Sequence, residues 1–168
     1  EGASNTIGLQ AIKTNDNTGA CEAFLTSSQN IEMAYECVSP ATCKSVPVKI
    51  DTMAIGDNSS GTVVDYNNIS MDFGNASQNK AEITVNYPDA GQIRLHAQLQ
   101  LQDESGTDTT LMAGSSNAFW VRPDELVVTA RSGGTDINNA TSSDTIIHKV
   151  DEFFDLIVSA VNTSGNVT

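Results

Sequence analysis

A strict alternation of apolar and polar side chains is the feature that most limits how this chain can fold. In the segment GQIRLHAQLQLQ, residues 91–102, every second residue from Ile93 to Leu101 is apolar and the residues between them are polar. A period of two places successive side chains on opposite faces of an extended strand. The pattern therefore predicts a long β-strand with one face in a core and with Arg94 and His96 on the solvent face.

The segment before this strand carries the same period. In AEITVNY, residues 81–87, the side chains of Ile83, Val85 and Tyr87 share one face. The four residues PDAG that follow supply a proline and a glycine, which are typical of a tight turn. The two strands are therefore predicted to form an antiparallel hairpin.

The rest of the chain repeats short strand-like segments separated by polar loops such as NDNTG and GDNSSG. Helical spacing is not sustained over three turns in any segment. Many short strands with Gly, Asn and Asp turns are typical of an all-β sandwich or barrel. Apolar residues make up 39% of the chain in short runs, none near the roughly 18 consecutive residues of a membrane helix. We expect no membrane insertion of this fragment.

A domain boundary is predicted near FWVRPDE. Pro123 has no N–H to donate and so interrupts a strand ladder at this point. The roughly 45 residues that follow it are too few to close a second core alone. They are expected either to begin a further sandwich or to extend the first sheet.

The charge balance excludes one class of partner. The chain has 8 Lys and Arg against 21 Asp and Glu, a net charge of −13. Phosphate binding needs clustered cations, so nucleic acid is not an expected partner. The acidity is interpreted as a contribution to solubility. A composition rich in Asn, Ser and Thr with few lysines favours an exported protein, in which disulfides can persist.

Three cysteines lie in the first quarter of the chain. Cys37 and Cys43 in ECVSPATC are separated by five residues, a spacing that permits a small disulfide ring. We predict this pair, which leaves Cys21 over. A zinc site is the weaker alternative because it normally needs four ligands, and the two histidines of the chain lie in distant segments.

No enzyme signature is present in the sequence. The chain has no G-x-S-x-G, G-x-x-x-x-G-K-[ST], H-E-x-x-H or G-x-G-x-x-G motif. His96 is interpreted as an isolated histidine on a wet strand face, since nothing in the sequence places a nucleophile or an acid beside it. A pair of carboxylates on neighbouring strands, of the kind that glycoside hydrolases use, stays open as an alternative. The prediction is nevertheless a protein without catalytic activity or catalytic residues.

Acidic loops leave calcium open as a ligand. NDNTG and DESGTD contain oxygen-bearing side chains, but neither follows the spacing of a D-x-[DN]-x-[DN]-G loop with a distal Glu. Solvated turns are the favoured interpretation. We therefore predict no metal site and no cofactor, with calcium as the alternative.

Trp120 is the single tryptophan and falls on the polar side of its strand. It could pack between neighbouring domains, which is favoured beside the predicted boundary, or it could stack on a sugar ring. Trp120 and Arg94 are the candidate binding residues.

Three stretches of the chain resemble one family: YECVSPATC, YPDAGQIRLHA leading into SSNAFWVRPDELVV, and HKVDEFFDLIVSAVNTSGNVT. The first match is a Tyr-x-Asp-Ala-Gly hairpin, formed here by Tyr87, Asp89, Ala90 and Gly91. The second is a Phe-Val-Val-Arg-Pro-like linker, matched by Phe119, Val121, Arg122 and Pro123. The third is an Asn-x-Ser-Gly strand end, matched by Asn162, Ser164 and Gly165. The chain is similar to the C-terminal region of the MshQ family, which is encoded with the mannose-sensitive haemagglutinin type IV pilus of Gram-negative bacteria. Trp120 departs from the small apolar residue usual in that linker.

The resemblance implies an Ig-like antiparallel β-sandwich over residues 1–120. Residues 121–168 would then form a linker and the opening strands of a second Ig-like domain, and the family sequence would continue beyond Thr168. The implied function is a non-catalytic structural or adhesive module on the bacterial cell surface. Its partners would be other domains of the same protein or pilus components. A carbohydrate- or calcium-binding module of an extracellular adhesin, with a surface glycan as ligand, is the alternative.

Overall fold

The computed structural model describes residues 6–42, 46–58, 65–74, 79–103, 105–137 and 148–168, and in these ranges the regular structure is entirely β. The strands are β1 (Thr6–Leu9), β2 (Ile12–Thr14), β3 (Cys21–Ala23), β4 (Ser28–Ser39), β5 (Lys49–Ile50), β6 (Met53–Ala54), β7 (Gly56–Asp57), β8 (Asn67–Asp72), β9 (Ala81–Asn86), β10 (Gly91–Gln102), β11 (Asp108–Ser115), β12 (Phe119–Val121), β13 (Glu125–Ser132), β14 (Thr135–Asp136) and β15 (Asp155–Val161). The prediction of an all-β fold is confirmed.

The chain divides into two compact units, Glu1–Arg122 and Pro123–Thr168. In the first unit the larger sheet has the order β11-β10-β4-β7, with β8 paired to β4 and β12 paired to β10. The smaller sheet has the order β1-β9-β5-β6, and β2 and β3 form a separate hairpin. Apart from the short parallel contact between β4 and β7, the ladders are antiparallel.

The core of the first unit lies between the two sheets. The buried side chains come from both of them: Ile31, Met33, Tyr35 and Cys37 of β4, Ile69 and Met71 of β8, Ile93 and Leu95 of β10, Ile50 of β5, and Ala81 and Ile83 of β9. Ala97 and Leu99 pack against this cluster. The alternation read from the sequence of β10 therefore predicted its core face correctly.

The predicted hairpin between β9 and β10 is wrong. β9 pairs with β1 and β5 in the smaller sheet, whereas β10 pairs with β4, β11 and β12 in the larger one. Both strands direct an apolar face into the same core, but from opposite sides. The connecting residues cross from one sheet to the other. A period-two pattern shows which side chains of a strand share a face, but it does not show whether the next strand lies in the same sheet or in the opposite one.

The crossing closes one end of the core. The ring of Tyr87 lies 6.3 Å from that of Tyr35, and its hydroxyl lies 3.8 Å from the sulfur of Cys37. Burial, together with the carboxylate of Asp89, raises the pKa of Tyr87 to about 12. Gly91 has a φ of 149°, and a Cβ there would come within 3.0 Å of the carbonyl oxygen of Ser39. Glycine is therefore required where the crossing joins β10.

The second unit contains one three-stranded sheet, with β13 between β14 and β15. In the ladder between β13 and β15, Leu126 is opposite Ala160 and Val128 is opposite Val158. Directly opposed residues share a face. That face is exposed at its larger side chains, including Leu126 at 68% and Val158 at 62%.

Candidate functional site

The two predicted binding residues lie on one face of the larger sheet. Trp120 on β12 is directly opposite Gln92 on β10, and Arg94 is two residues further along β10. Residues two apart on a strand share a face and are separated by roughly 6.6 Å. The side chain of Trp120 is 68% exposed. The term outer face is used here for the surface opposite the core that carries Glu32, Glu36, Gln92, Arg94, His96, Gln98, Ser115 and Trp120.

Glu36 is the centre of the outer face. Its Oε2 lies 3.2 Å from Nη1 of Arg94 and 3.1 Å from Nε2 of His96. On the other side of the imidazole, Nδ1 of His96 lies 2.9 Å from Oγ of Ser115. The carboxylate accepts from Nε2–H, so in the neutral imidazole Nδ1 accepts from the Ser115 hydroxyl. These contacts form a continuous polar line across β4, β10 and β11.

The interpretation of His96 as an isolated surface histidine is wrong. Its side chain is only 15% exposed, and it has an acid on one side and a hydroxyl on the other. Glu36 and His96 are separated by 60 residues in the chain. Their contact depends on the pairing and register of β4 and β10, which the local sequence pattern does not encode.

The order of Ser115, His96 and Glu36 invites comparison with hydrolases, which use a hydroxyl, an imidazole and an acid. In those enzymes Nε2 serves the nucleophile and Nδ1 faces the acid. Here Nε2 faces Glu36 and Nδ1 faces Ser115, and the same carboxylate oxygen also accepts from Arg94. The acid is thus engaged by two cationic or donor groups, and the line is well suited to hold three strands in register.

A second contact continues the outer face toward the far end of β10. The side-chain amide of Gln98 donates to Oε2 of Glu32 over 2.7 Å. Together with Gln92 near Trp120, these residues provide amide donors and acceptors on both sides of the central ion pair. The charged groups of the face are therefore largely satisfied by one another.

In each loop considered for calcium, one side-chain oxygen atom accepts hydrogen bonds from residues of its own loop. In DESGTD, Oδ1 of Asp103 accepts from N and Oγ of Ser105 and from N of Thr107, at 2.6–3.0 Å. These hydrogen bonds lower the pKa of Asp103. In NDNTG, Oδ1 of Asn15 accepts from the N–H groups of Asn17 and Thr18. In the described ranges, no cluster of three or more His, Cys, Asp or Glu side chains could hold a metal ion.

The cysteines lie in different environments. Cys21 is exposed and is a free thiol, whereas Cys37 is buried beneath Tyr87. Cys43 lies outside the described residues. The pairing of Cys37 with Cys43 therefore stays a prediction.

An apolar cleft of about 440 Å³ opens between the two sheets of the first unit. Ile7 and Leu9 of β1 line one wall, and Leu99 of β10 with Met112 of β11 line the other.

Across the described parts of the chain, no helix is long and apolar enough to cross a membrane.

The comparisons with known proteins place the first unit in a family. Residues 1–115 match the model of a domain of unknown function, DUF6701, first Ig-like domain. No curated protein matches the chain, and no solved structure matches it. The Ig-like fold implied by the sequence is thus supported by the matching family and by the antiparallel sheets. The chain belongs to the DUF6701 family, and its first unit carries that family's first Ig-like domain.

Proposed function

We propose that this chain is a non-catalytic, surface-exposed structural and adhesive module of a bacterial protein associated with a type IV pilus, of the kind to which MshQ belongs. Its proposed location is the outside of the cell. Its proposed partners are other domains of the same protein and components of the pilus.

The observation that carries this proposal is the arrangement of side chains on the outer face. A long, regular sheet holds Trp120 in an exposed position, while Glu36, Arg94 and His96 are held by one another. Such a surface is rigid and solvent-exposed, and it is suited to binding a partner. The imidazole of His96 presents Nδ1 to Ser115 and Nε2 to Glu36, which is the reverse of the arrangement in a serine hydrolase.

The resemblance to the MshQ family supports the pilus association, and the structure gives physical roles to the matching residues. Tyr87 and Asp89 close the end of the core, and Gly91 has a positive φ at the start of β10. These roles belong to the fold rather than to catalysis. They fit a module selected for a durable shape on a cell surface.

The exposed thiol of Cys21 offers a test of location in the bacterium that encodes the chain. A membrane-impermeant maleimide applied to intact cells should label Cys21, as read by peptide mapping of the recovered protein, and Cys21→Ser should abolish labelling at that position. Labelling that appears only after lysis would contradict a surface location.

Adhesion is tested in the same bacterium by deleting the gene and restoring it. The deletion strain should adhere less to surfaces, and sheared pili from the restored strain should carry the protein. Unchanged adherence together with absence of the protein from the pilus fraction would overturn the proposed function.

A further inference from the structure

We propose that the outer face binds a neutral glycan, with one sugar ring stacked on Trp120 and the chain continuing along β10. This inference rests on the proposed adhesive function and names its ligand. The site comprises Trp120, Gln92, Arg94 and Gln98.

Trp120 provides the stacking platform. Its side chain is 68% exposed, yet its backbone is fixed by pairing with β10 opposite Gln92. A tryptophan loses little conformational entropy on contact and offers a large apolar ring with a polar N–H at its edge. A pyranose ring has the complementary character, with apolar C–H faces and hydroxyl groups around its edge.

Hydrogen-bonding groups follow Trp120 at strand spacing. Gln92, Arg94, His96 and Gln98 occupy successive outward positions on β10, over a span of roughly 20 Å from the first to the last. That length accommodates several sugar units. Amides both donate and accept, which is what hydroxyl groups require.

The charges of the face favour a neutral ligand over an anionic one. Arg94 and His96 both point to Oε2 of Glu36, and Glu32 accepts from Gln98. The carboxylates of Glu32 and Glu36 thus outnumber the single guanidinium of Arg94 on this face. Since the whole chain carries −13, an acidic polysaccharide would be repelled.

The same contacts preorganise the site. Glu36 links β4 to β10, and His96 continues the link to Ser115 on β11. Side chains already held in place lose less freedom when a ligand binds. A flexible sugar chain thus meets a surface that needs little rearrangement.

The test uses the full 168-residue chain and the intrinsic fluorescence of Trp120, which is its single tryptophan. A printed array of neutral and acidic glycans is screened first. Soluble oligosaccharides of the strongest neutral hit and of polygalacturonate are then titrated, by fluorescence and by calorimetry. We expect saturable binding of the neutral oligosaccharide with a change in tryptophan emission, and no binding of the polygalacturonate.

Variants then locate the site. Trp120→Ala should weaken binding at least tenfold, Trp120→Phe should retain part of it, and Gln92→Ala should weaken it severalfold. Ile12→Ala is the matched control, because Ile12 is 57% exposed on the β2–β3 hairpin. It should leave affinity unchanged. Circular dichroism checks that each variant folds.

Absence of any neutral glycan from the array hits would overturn the inference. So would preferential binding of acidic glycans, or an affinity that Trp120→Ala leaves unchanged. If the bacterium still displays the protein and adheres through it while the array is negative, the adhesive function stands and a protein partner replaces the glycan. If adherence and pilus association fail as well, the proposed function falls with it.

Discussion

Arg94 and Glu36 lie opposite each other on β10 and β4, with Nη1 and Oε2 3.2 Å apart. The pair joins the two central strands of the larger sheet on the side away from the core. Because His96 reaches the same carboxylate oxygen, removal of the negative charge of Glu36 would weaken two contacts at once, since an amide oxygen is a weaker acceptor than a carboxylate.

Glu36→Gln should therefore destabilise the first unit. The ion pair with Arg94 is partly exposed and contributes little, whereas the hydrogen bond to the less exposed His96 contributes more, for a combined loss of about 1–2 kcal/mol. Urea unfolding followed by circular dichroism measures the change. Glu22→Gln is the matched control, because Glu22 forms an exposed cross-strand pair with Lys13. An equal effect of the two variants would contradict a special role for Glu36.

Tyr87 should make stability fall at alkaline pH. Its pKa is raised to about 12, first by burial and then by Asp89, from an ordinary value of about 10. The folded state therefore retains a proton that the unfolded state loses. Stabilisation is complete below about pH 10 and declines as the pH rises toward 12.

Comparing Tyr87→Phe with the wild type isolates this effect. The variant should show a shallower decline in unfolding free energy over that window, measured by urea titrations at several pH values. In an alkaline titration followed by ultraviolet absorbance, Tyr87→Phe should lack the tyrosine that ionises near pH 12 in the wild type. Parallel declines in the two proteins would argue against the buried environment of Tyr87.

Gly91→Ala should destabilise the fold by about 1–3 kcal/mol. The new Cβ would lie 3.0 Å from the carbonyl oxygen of Ser39 at a φ of 149°. Gly114→Ala serves as the comparison, because an added Cβ there meets nothing within 4 Å. Thermal unfolding should show a drop for Gly91→Ala alone, and a tolerated alanine at Gly91 would refute the close approach.

Peptide mapping without reduction should recover a Cys37–Cys43 crosslink and an alkylated Cys21. The expectation follows from the five-residue spacing of the pair and from the exposed, free state of Cys21. A crosslink that includes Cys21, or three alkylated cysteines, would overturn it.

Ser115 should not act as a nucleophile. The imidazole nitrogen facing it is Nδ1, and Glu36 takes Nε2, so the geometry differs from that of serine hydrolases. Hydrolysis of p-nitrophenyl acetate should be equal for the wild type and Ser115→Ala, and a fluorophosphonate probe should leave Ser115 unlabelled. A burst of product lost in Ser115→Ala would establish an enzyme.

The sequence predicts best what depends on neighbouring residues. The alternation in β10 identified Ile93 and Leu95 as core residues because side-chain direction along a strand is a local property. The exposure of Trp120 and the outward position of Arg94 follow from the same rule. Local pattern was thus sufficient for the faces of single strands.

The local sequence pattern does not predict which strands pair with each other. The sequence pattern wrongly joined β9 to β10, since four connecting residues suit a turn within a sheet as well as a crossing between sheets. The contacts of His96 with Glu36 and Ser115 likewise require the register of three strands. The domain boundary after residue 120 and the calcium alternative stay predictions.

The pairing of β4 with β10 also has a consequence for how the molecule folds. These strands, Ser28–Ser39 and Gly91–Gln102, are the middle of the larger sheet but are far apart along the chain. Local pairs such as β10 with β11 can form early, whereas the central ladder must first overcome the entropy of closing a long loop. The outer face is consequently among the last surfaces to be completed during folding, because a nascent chain that ends before Gly91 contains Glu32 and Glu36 but lacks the strands that carry Arg94, Ser115 and Trp120.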